Sequence, residues 1–223
     1  DDRKYIQALL STNLLDYFLA IFNSTINFQP GDIGRVPVVI QDKKYVDRLC
    51  ENAINISRKD WNFRELSWDF KFNPLINRAS SLKESFSDWS LNVKKLFFDL
   101  HSKEEEINKC FIKAYELDDE LRTDVALKDI TVFQEEIDHK KLEELETNFR
   151  LFGKDAIELP IKKEIVMQQL ISYAVGCMMG RYRLDVPGLY IAHPNPTAEE
   201  VCTYNYNDRS EEHTSELQSL LII

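Results

Sequence analysis

The sequence predicts a mainly α-helical protein with a short β or extended segment near its N-terminus. In it, a long helix serves as a spacer, or as one arm of a helical hairpin, linking domains that lie outside the chain. Three observations predict this. Only 6 Gly and 7 Pro interrupt 223 residues. Apolar residues recur at helical spacing in several separate stretches. One stretch, opening at Leu82, keeps that spacing for far longer than an average helix.

Taken in order, Ile6, Leu9, Leu10, Leu14, Phe18 and Ile21 share a helical period, so at least Leu14 to Phe22 is helical, ending at Asn23-Ser24. Thr25 to Phe28 alternates with β character and leads into Gln29-Pro30-Gly31-Asp32, a turn signature. Ile33 to Ile40 is extended, and Pro37 confines it to an edge strand or a packed extended segment. Gln41-Asp42 caps a helix over 43–57 with Val46, Leu49, Cys50, Ala53 and Ile54 on one face. Trp61 to Ile76 concentrates aromatics among charges and ends near Asn73-Pro74, which reads as an ordered aromatic loop. Within it, Trp68 and Phe70 are expected to be packing anchors between the extended segment and the helices, each costing ~3–5 kcal/mol on truncation to Ala.

From Leu82, Phe86, Trp89, Val93, Leu96, Leu100, Ile107, Phe111 and Tyr115 step by fours and threes, with Lys103 in the one polar register position. A helix of that span reaches roughly 50 Å. Val132 to Phe152 is expected to be a more polar helix ending at Gly153. Lys162 to Tyr182 is expected to be another, apolar on Ile165, Val166, Leu170, Tyr173, Ala174 and Cys177. Gly176 and Gly180 inside that pattern imply close packing or a kink, and the chain then turns at Asp185-Val186-Pro187-Gly188.

Composition bounds the function. With 43% hydrophobic and 30% charged residues the chain is globular in character, and its net charge of -10 argues against a general DNA-coating role. The apolar runs Leu14–Phe22 and Leu170–Met179 are too short to span a membrane. Cys50, Cys110, Cys177 and Cys202 lie far apart without metal-ligand spacing, which points to reduced thiols in a cytoplasmic protein, with no disulfide framework and no metal site. The chain opens Asp1-Asp2-Arg3-Lys4 and is expected to be an internal piece of something longer. Arg209 to Ser219 resembles the in-frame translation of a common sequencing-adapter oligonucleotide, so 209–223 is expected to be an artefactual tail. Removing Arg209, Glu211, Glu212 and Glu216 moves the net charge from -10 to -8, which leaves the chain acidic.

The motifs that carry chemistry are missing: no Gly-x-Gly-x-x-Gly, Walker loop, Gly-x-Ser-x-Gly or His-Glu-x-x-His occurs. Glu104-Glu105-Glu106 and Asp118-Asp119-Glu120 read as a solvated helix face. Adenine amino-methyltransferases use Asn/Asp-Pro-Pro-aromatic to hold a flipped base. Asn73-Pro74-Leu75-Ile76 and Asn195-Pro196-Thr197-Ala198 lack its second Pro and its aromatic, and read as turns. No catalytic or cofactor-binding residue is therefore assigned. Arg181, Tyr182 and Arg183, with Tyr190 and His193 nearby, are the DNA-contact candidates, since two guanidiniums with aromatics suit phosphate or base contact. The alternative for the arginines is to cap the helix and pair with Asp185.

Three ordered blocks carry a resemblance: Asn27 to Val38; Trp61 with Ser67-Trp68-Asp69-Phe70-Lys71 and Pro74-Leu75; and Ser172 to Tyr182 with Leu184-Asp185 and Pro187-Gly188-Leu189. They resemble the BREX phage-defence adenine-specific DNA methyltransferases of the PglX type, and Glu104 to Leu121 looks like that family's helical stretch. The resemblance implies a parent enzyme that moves a methyl group from S-adenosylmethionine to adenine N6 in DNA, with the donor site and catalytic loop N-terminal to this piece. It implies DNA, and other defence-system proteins, as the parent's partners, and no membrane. Residues 1–42 would end the methyltransferase-side region, 43–183 form a helical connector, 184–208 begin a DNA-recognition region, and 209–223 be the tail. The alternative is a stand-alone helical interaction module, supported by the 4-3 seam alone.

Overall fold

The structure is a computed structural model that describes residues 2–22, 29–76, 81–190 and 198. Its helices are α1 (Arg3–Leu10), α2 (Asn13–Phe22), α3 (Pro30–Ile33), α4 (Lys43–Asn62), α5 (Leu82–Ala114), α6 (His139–Phe152) and α7 (Lys163–Met178). Among the described residues no strand forms, only two isolated antiparallel bridges, Ile137 with Ile161 and Tyr182 with Leu189. No single helix among them is long and apolar enough to cross a membrane. The expected β run 25–28, the Asn195-Pro196 turn, Cys202 and the 209–223 tail lie outside the described residues. The chain divides into two compact units: Asp1–Ser57, Lys95–Val132 and Lys140–Ile157 form the first, and Arg58–Lys94, Phe133–His139 and Glu158–Ile223 the second.

In the first unit, Tyr5, Leu9, Leu14, Val46, Leu49, Ile107 and Phe111 are buried in one core. The Tyr5 ring meets Phe111 edge-on at 5.1 Å. The stretch after Val36 is extended, as its composition demands, yet it joins no ladder. Two phenols take the place of a partner strand. Tyr115 Oη donates to the Pro37 carbonyl and accepts from Val39 N–H at 3.1 Å. Tyr5 Oη donates to the Val39 carbonyl at 2.8 Å and accepts from Gln41 N–H at 3.0 Å. The expected extended segment 33–40 is thus corrected at its start, where Ile33 ends α3 and Gly34, Arg35 and Val36 turn back onto it, and only residues 37–41 form a packed strap, with Val38, Val39 and Ile40 exposed. The expected turn at Gln29–Asp32 closes into α3, because Pro30 fits the first helical position and Asp32 Oδ2 accepts Gln29 N–H at 3.0 Å.

Helix α5 has 33 residues, about 50 Å of rise. Its seam residues Trp89, Val93, Leu96, Leu100, Ile107 and Phe111 are buried, as the 4-3 spacing predicts. So are Phe97, Phe98, His101, Asn108 and Ile112, so its buried face is broader than a two-stranded seam. The helix closes through a Schellman turn: Leu117 N–H bonds the Ile112 carbonyl at 3.0 Å and Glu116 N–H the Lys113 carbonyl at 3.2 Å. Glu116 sits at φ 56°, a position glycine usually fills.

The acidic triplet on α5 does not form a freely solvated face, and Asp118-Asp119-Glu120, though exposed, lies in turns beyond the end of α5 and not on a helix. Glu105 Oε1 accepts Val125 N–H at 3.1 Å and Arg150 Nη1 at 2.7 Å. Arg150 Nη2 and His101 Nε2 both reach the Val125 carbonyl, at 2.6 and 2.8 Å, and Glu146 Oε2 accepts Leu127 N–H at 2.8 Å. These bonds pin the loop at 125–127. Tyr45 Oη donates to Glu106 at 3.1 Å. Burial, aided by the Asp129 carboxylate, pushes Glu104 from its ordinary 4.5 up to about 7. The folded state then holds a proton that the unfolded state has released. The contribution is fully present below pH 4.5 and is lost as pH rises through about 7. Glu104→Gln is expected to be near neutral at pH 5 and to stabilise at pH 8 by about 1–3 kcal/mol, at ~1.4 kcal/mol per pH unit of displacement. Urea unfolding at both pH values checks it; an equal effect at both would refute the assignment.

In the second unit, Phe70, Tyr173, Cys177 and Tyr182 form a buried cluster. The Tyr173 and Tyr182 rings stack at 5.1 Å, and Phe70 meets them edge-on at 5.8 and 5.4 Å. The expected pairing of Trp68 with Phe70 as anchors is corrected here: Phe70 is buried, but Trp68 is 98% exposed. A turn explains it. Phe70 N–H bonds the Ser67 carbonyl at 3.2 Å, and Ser67 Oγ donates to Asn62 Oδ1 at 2.7 Å. Ser67 and Phe70 therefore face inward and the central residues Trp68 and Asp69 stand outside.

The expected start of a helix at Val132 is also corrected, since α6 begins at His139. Phe133 lies at φ 55°, outside the helical region, and its N–H bonds Asp60 Oδ1 at 3.1 Å. Asp138 N–H bonds the Pro160 carbonyl and Lys162 N–H the Glu136 carbonyl, at 2.9 and 2.8 Å. Tertiary partners thus hold this segment against its helical pattern. The end of α6 is where Gly153 places it, at φ 79° with its N–H on the Phe149 carbonyl at 2.8 Å.

Candidate functional site

The candidate DNA contacts follow α7, whose end is set by its two glycines. Gly176 is buried, and a Cβ there would stand 2.5 Å from the Tyr182 ring. Gly180, at φ 77°, completes a Schellman turn in which Gly180 N–H bonds the Cys177 carbonyl at 3.0 Å and Arg181 N–H the Gly176 carbonyl at 2.8 Å. The pattern's expected close packing is therefore Gly176 under Tyr182, and the helix stops at Met178 rather than Tyr182.

This turn sends three consecutive side chains to different places. Tyr182 goes into the aromatic cluster and its Oη donates to Glu65 Oε2 at 3.1 Å. Burial, with Glu65 adding to it, raises the Tyr182 phenol, so it remains a donor at neutral pH. Arg181 is half exposed, its Nη1 3.8 Å from the same Glu65 oxygen. Arg183 grips Asp185 with two donors, Nε to Oδ1 at 2.7 Å and Nη2 to Oδ2, and lies over the Tyr190 ring at 5.0 Å. Beyond them Gly188, at φ 82°, donates to the Lys71 carbonyl at 2.9 Å; a Cβ there would meet the Phe70 carbonyl at 3.2 Å.

Two adjoining depressions, of about 350 and 370 Å³, share Glu65, Phe70 and Tyr182 in their walls. Arg64, Gln169 and Arg181 line the first, and Trp68, Lys71 and Leu189 the second. Behind the first lies a polar network that the sequence pattern does not single out. Arg64 Nη1 bonds Asp60 Oδ1 at 2.9 Å, Arg64 Nη2 bonds Glu136 Oε2 at 3.0 Å, and Gln169 Nε2 bonds Glu136 Oε1 at 2.7 Å. Asp60 and Arg64 could be paired from their i, i+4 spacing. Glu136 and Gln169 could not, because the fold alone brings them in. The arrangement holds a loop in place, with Asp60 Oδ1 and both Glu136 carboxylate oxygens each facing a donor.

Asn73, the near-miss residue, makes a local turn: its Oδ1 accepts Leu75 N–H at 3.0 Å and its carbonyl accepts Ile76 N–H at 2.9 Å. Among the described residues no group of three or more His, Cys, Asp or Glu could hold a metal ion. Cys50, Cys110 and Cys177 are free thiols, and burial pushes Cys177 up to about 11, which makes it inert.

No protein-family model matches the chain. It is 30% identical over 203 residues to the adenine-specific methyltransferase PglX of Lacticaseibacillus casei (strain Zhang), covering 88% of this chain and 15% of that protein. It is also 30% identical over 188 residues to the adenine-specific methyltransferase BrxX of Escherichia coli O9:H4 (strain HS), covering 84% of this chain and 14% of that one. The chain thus spans about 15% of the length of the relatives it matches.

Proposed function

We propose that this chain, a distant homologue of one segment of the PglX and BrxX adenine-specific methyltransferases, is a noncatalytic helical connector in an N6-adenine DNA methyltransferase of a phage-defence system. The observation that carries it is the coverage: 88% of this chain aligns, against 15% of PglX. The parent would take its methyl group from S-adenosylmethionine and act on DNA, together with other defence-system proteins. Residues 1–42 would close the methylase side, 43–183 connect, and 184–208 begin the target-recognition region.

The residues present do not fit S-adenosylmethionine. A donor site needs glycines that leave room for the cofactor, yet at Gly176 that room is filled by the Tyr182 ring and at Gly188 the Phe70 carbonyl stands close. Arg183 is committed to Asp185, and Glu65 and Glu135 stand in the walls beside Arg181, which does not favour a phosphate backbone. The isolated chain is therefore expected to bind neither S-adenosylmethionine nor duplex DNA. Titration calorimetry for the donor and fluorescence anisotropy for DNA test this. Micromolar binding of either would overturn the connector role.

A further inference from the structure

We propose that the outer edge of the strap at 37–41 pairs with the same edge of a second copy of this chain, as a two-fold antiparallel strand pair centred on Val39. The hydrogen bonds of the strap alternate. Pro37, Val39 and Gln41 turn their polar backbone groups inward, where the Tyr115 and Tyr5 phenols take them. Extended backbone points successive residues to opposite edges, so the N–H and C=O of Val38 and of Ile40 face outward. Neither residue's backbone has a partner among the described residues. The usual guards of an open edge are also missing. No charged residue lies between Val36 and Gln41, and the donor that Pro37 lacks belongs to the inner edge. Val38 and Ile40 are 50% and 59% exposed.

The edge itself selects the occupant. Its order of donors and acceptors is symmetric about Val39, so a copy turned about a two-fold axis sets Val38 opposite the other copy's Ile40, and each such pair exchanges both of its bonds. Charge agrees. Arg35, over the Phe22 ring at 4.8 Å, precedes the strap, and Asp42 follows it. Both are exposed, and neither has an ion-pair partner among the described residues. Antiparallel pairing brings the Arg35 end of each copy to the Asp42 end of the other, whereas a parallel pair would set like charge against like. The inference stands apart from the connector reading above.

Sedimentation velocity on the full chain, from roughly 5 to roughly 500 micromolar, is expected to show the average mass rise from one chain toward two. Over the same range, hydrogen exchange at the Val38 and Ile40 amides is expected to slow about fivefold or more, while Val39 and Gln41, already bonded to phenols, change by less than about twofold. Two double variants test the register, and both leave the inner bonds in place. Val38→Lys with Ile40→Lys sets like charges opposite each other and is expected to weaken the dimer about tenfold or more. Val38→Lys with Ile40→Glu sets opposite charges there and is expected to bring the dimer back to within about threefold of the unaltered chain. A mass that stays at one chain throughout overturns the proposal. So does a dimer without slowed exchange at Val38 and Ile40, because the contact then lies elsewhere. A dimer that both variants weaken alike, while melting as the unaltered chain does, overturns the antiparallel register and the proposal with it.

Discussion

Arg64→Ala is expected to destabilise the protein by about 3–5 kcal/mol, because removing one member of a buried ionic network leaves its partners uncompensated. The Arg64, Asp60 and Glu136 side chains are 13%, 11% and 5% exposed, so water cannot replace the guanidinium. Burial already pushes the Asp60 carboxyl upward, against the pull of Arg64 and of Phe133 N–H. Without Arg64 that rise grows, and the folded state takes up protons that the unfolded state lacks. The loss of stability is therefore larger at pH 8 than at pH 5. Thermal or urea unfolding at both pH values gives the result. A loss below about 1 kcal/mol, or one that is independent of pH, would mean that the network is solvated.

The same network marks how far the sequence reaches. Helices α4, α5, α6 and α7 are legible because their apolar residues repeat at the helical period, and Gly153 and Gly180 fix two of their ends through positive φ. But α4 runs past the expected 57 to Asn62 and takes Trp61 out of the expected aromatic loop. The start of α6 is not legible, since Asp60 and Arg64, distant in sequence, hold the Phe133 amide and the Glu136 carboxylate out of helix. Nor is the missing ladder at 37–41. Its β composition is correct, but the partners are the hydroxyls of Tyr5 and Tyr115, and a phenol's reach leaves no periodic signal. Of the three candidate DNA contacts, the i+2 spacing of Arg183 and Asp185 foretells their pairing. The inward turn of Tyr182 could be inferred only by asking what fills the space above Gly176.

Phe70→Ala and Trp68→Ala, two residues apart, are expected to differ by an order of magnitude. Phe70 is buried edge-on against the stacked Tyr173 and Tyr182 rings, so its truncation removes two edge-on contacts and opens a cavity beside them. The rings around it are fixed by Gly176 on one side and by the Tyr182–Glu65 bond on the other, which limits collapse. A cost of about 3–5 kcal/mol follows. Trp68 is 98% exposed, so truncating it removes little packing and should cost less than about 0.5 kcal/mol. Equal losses for the two in urea unfolding would mean that the turn at Ser67–Phe70 presents Trp68 inward. The difference depends on a hydroxyl, because Ser67 Oγ, held by Asn62 and accepting Asp69 N–H at 3.2 Å, sets which side of that turn faces the core. Ser67→Ala should therefore narrow the gap between the two truncations, since a turn freed of its anchor can share burial between both rings.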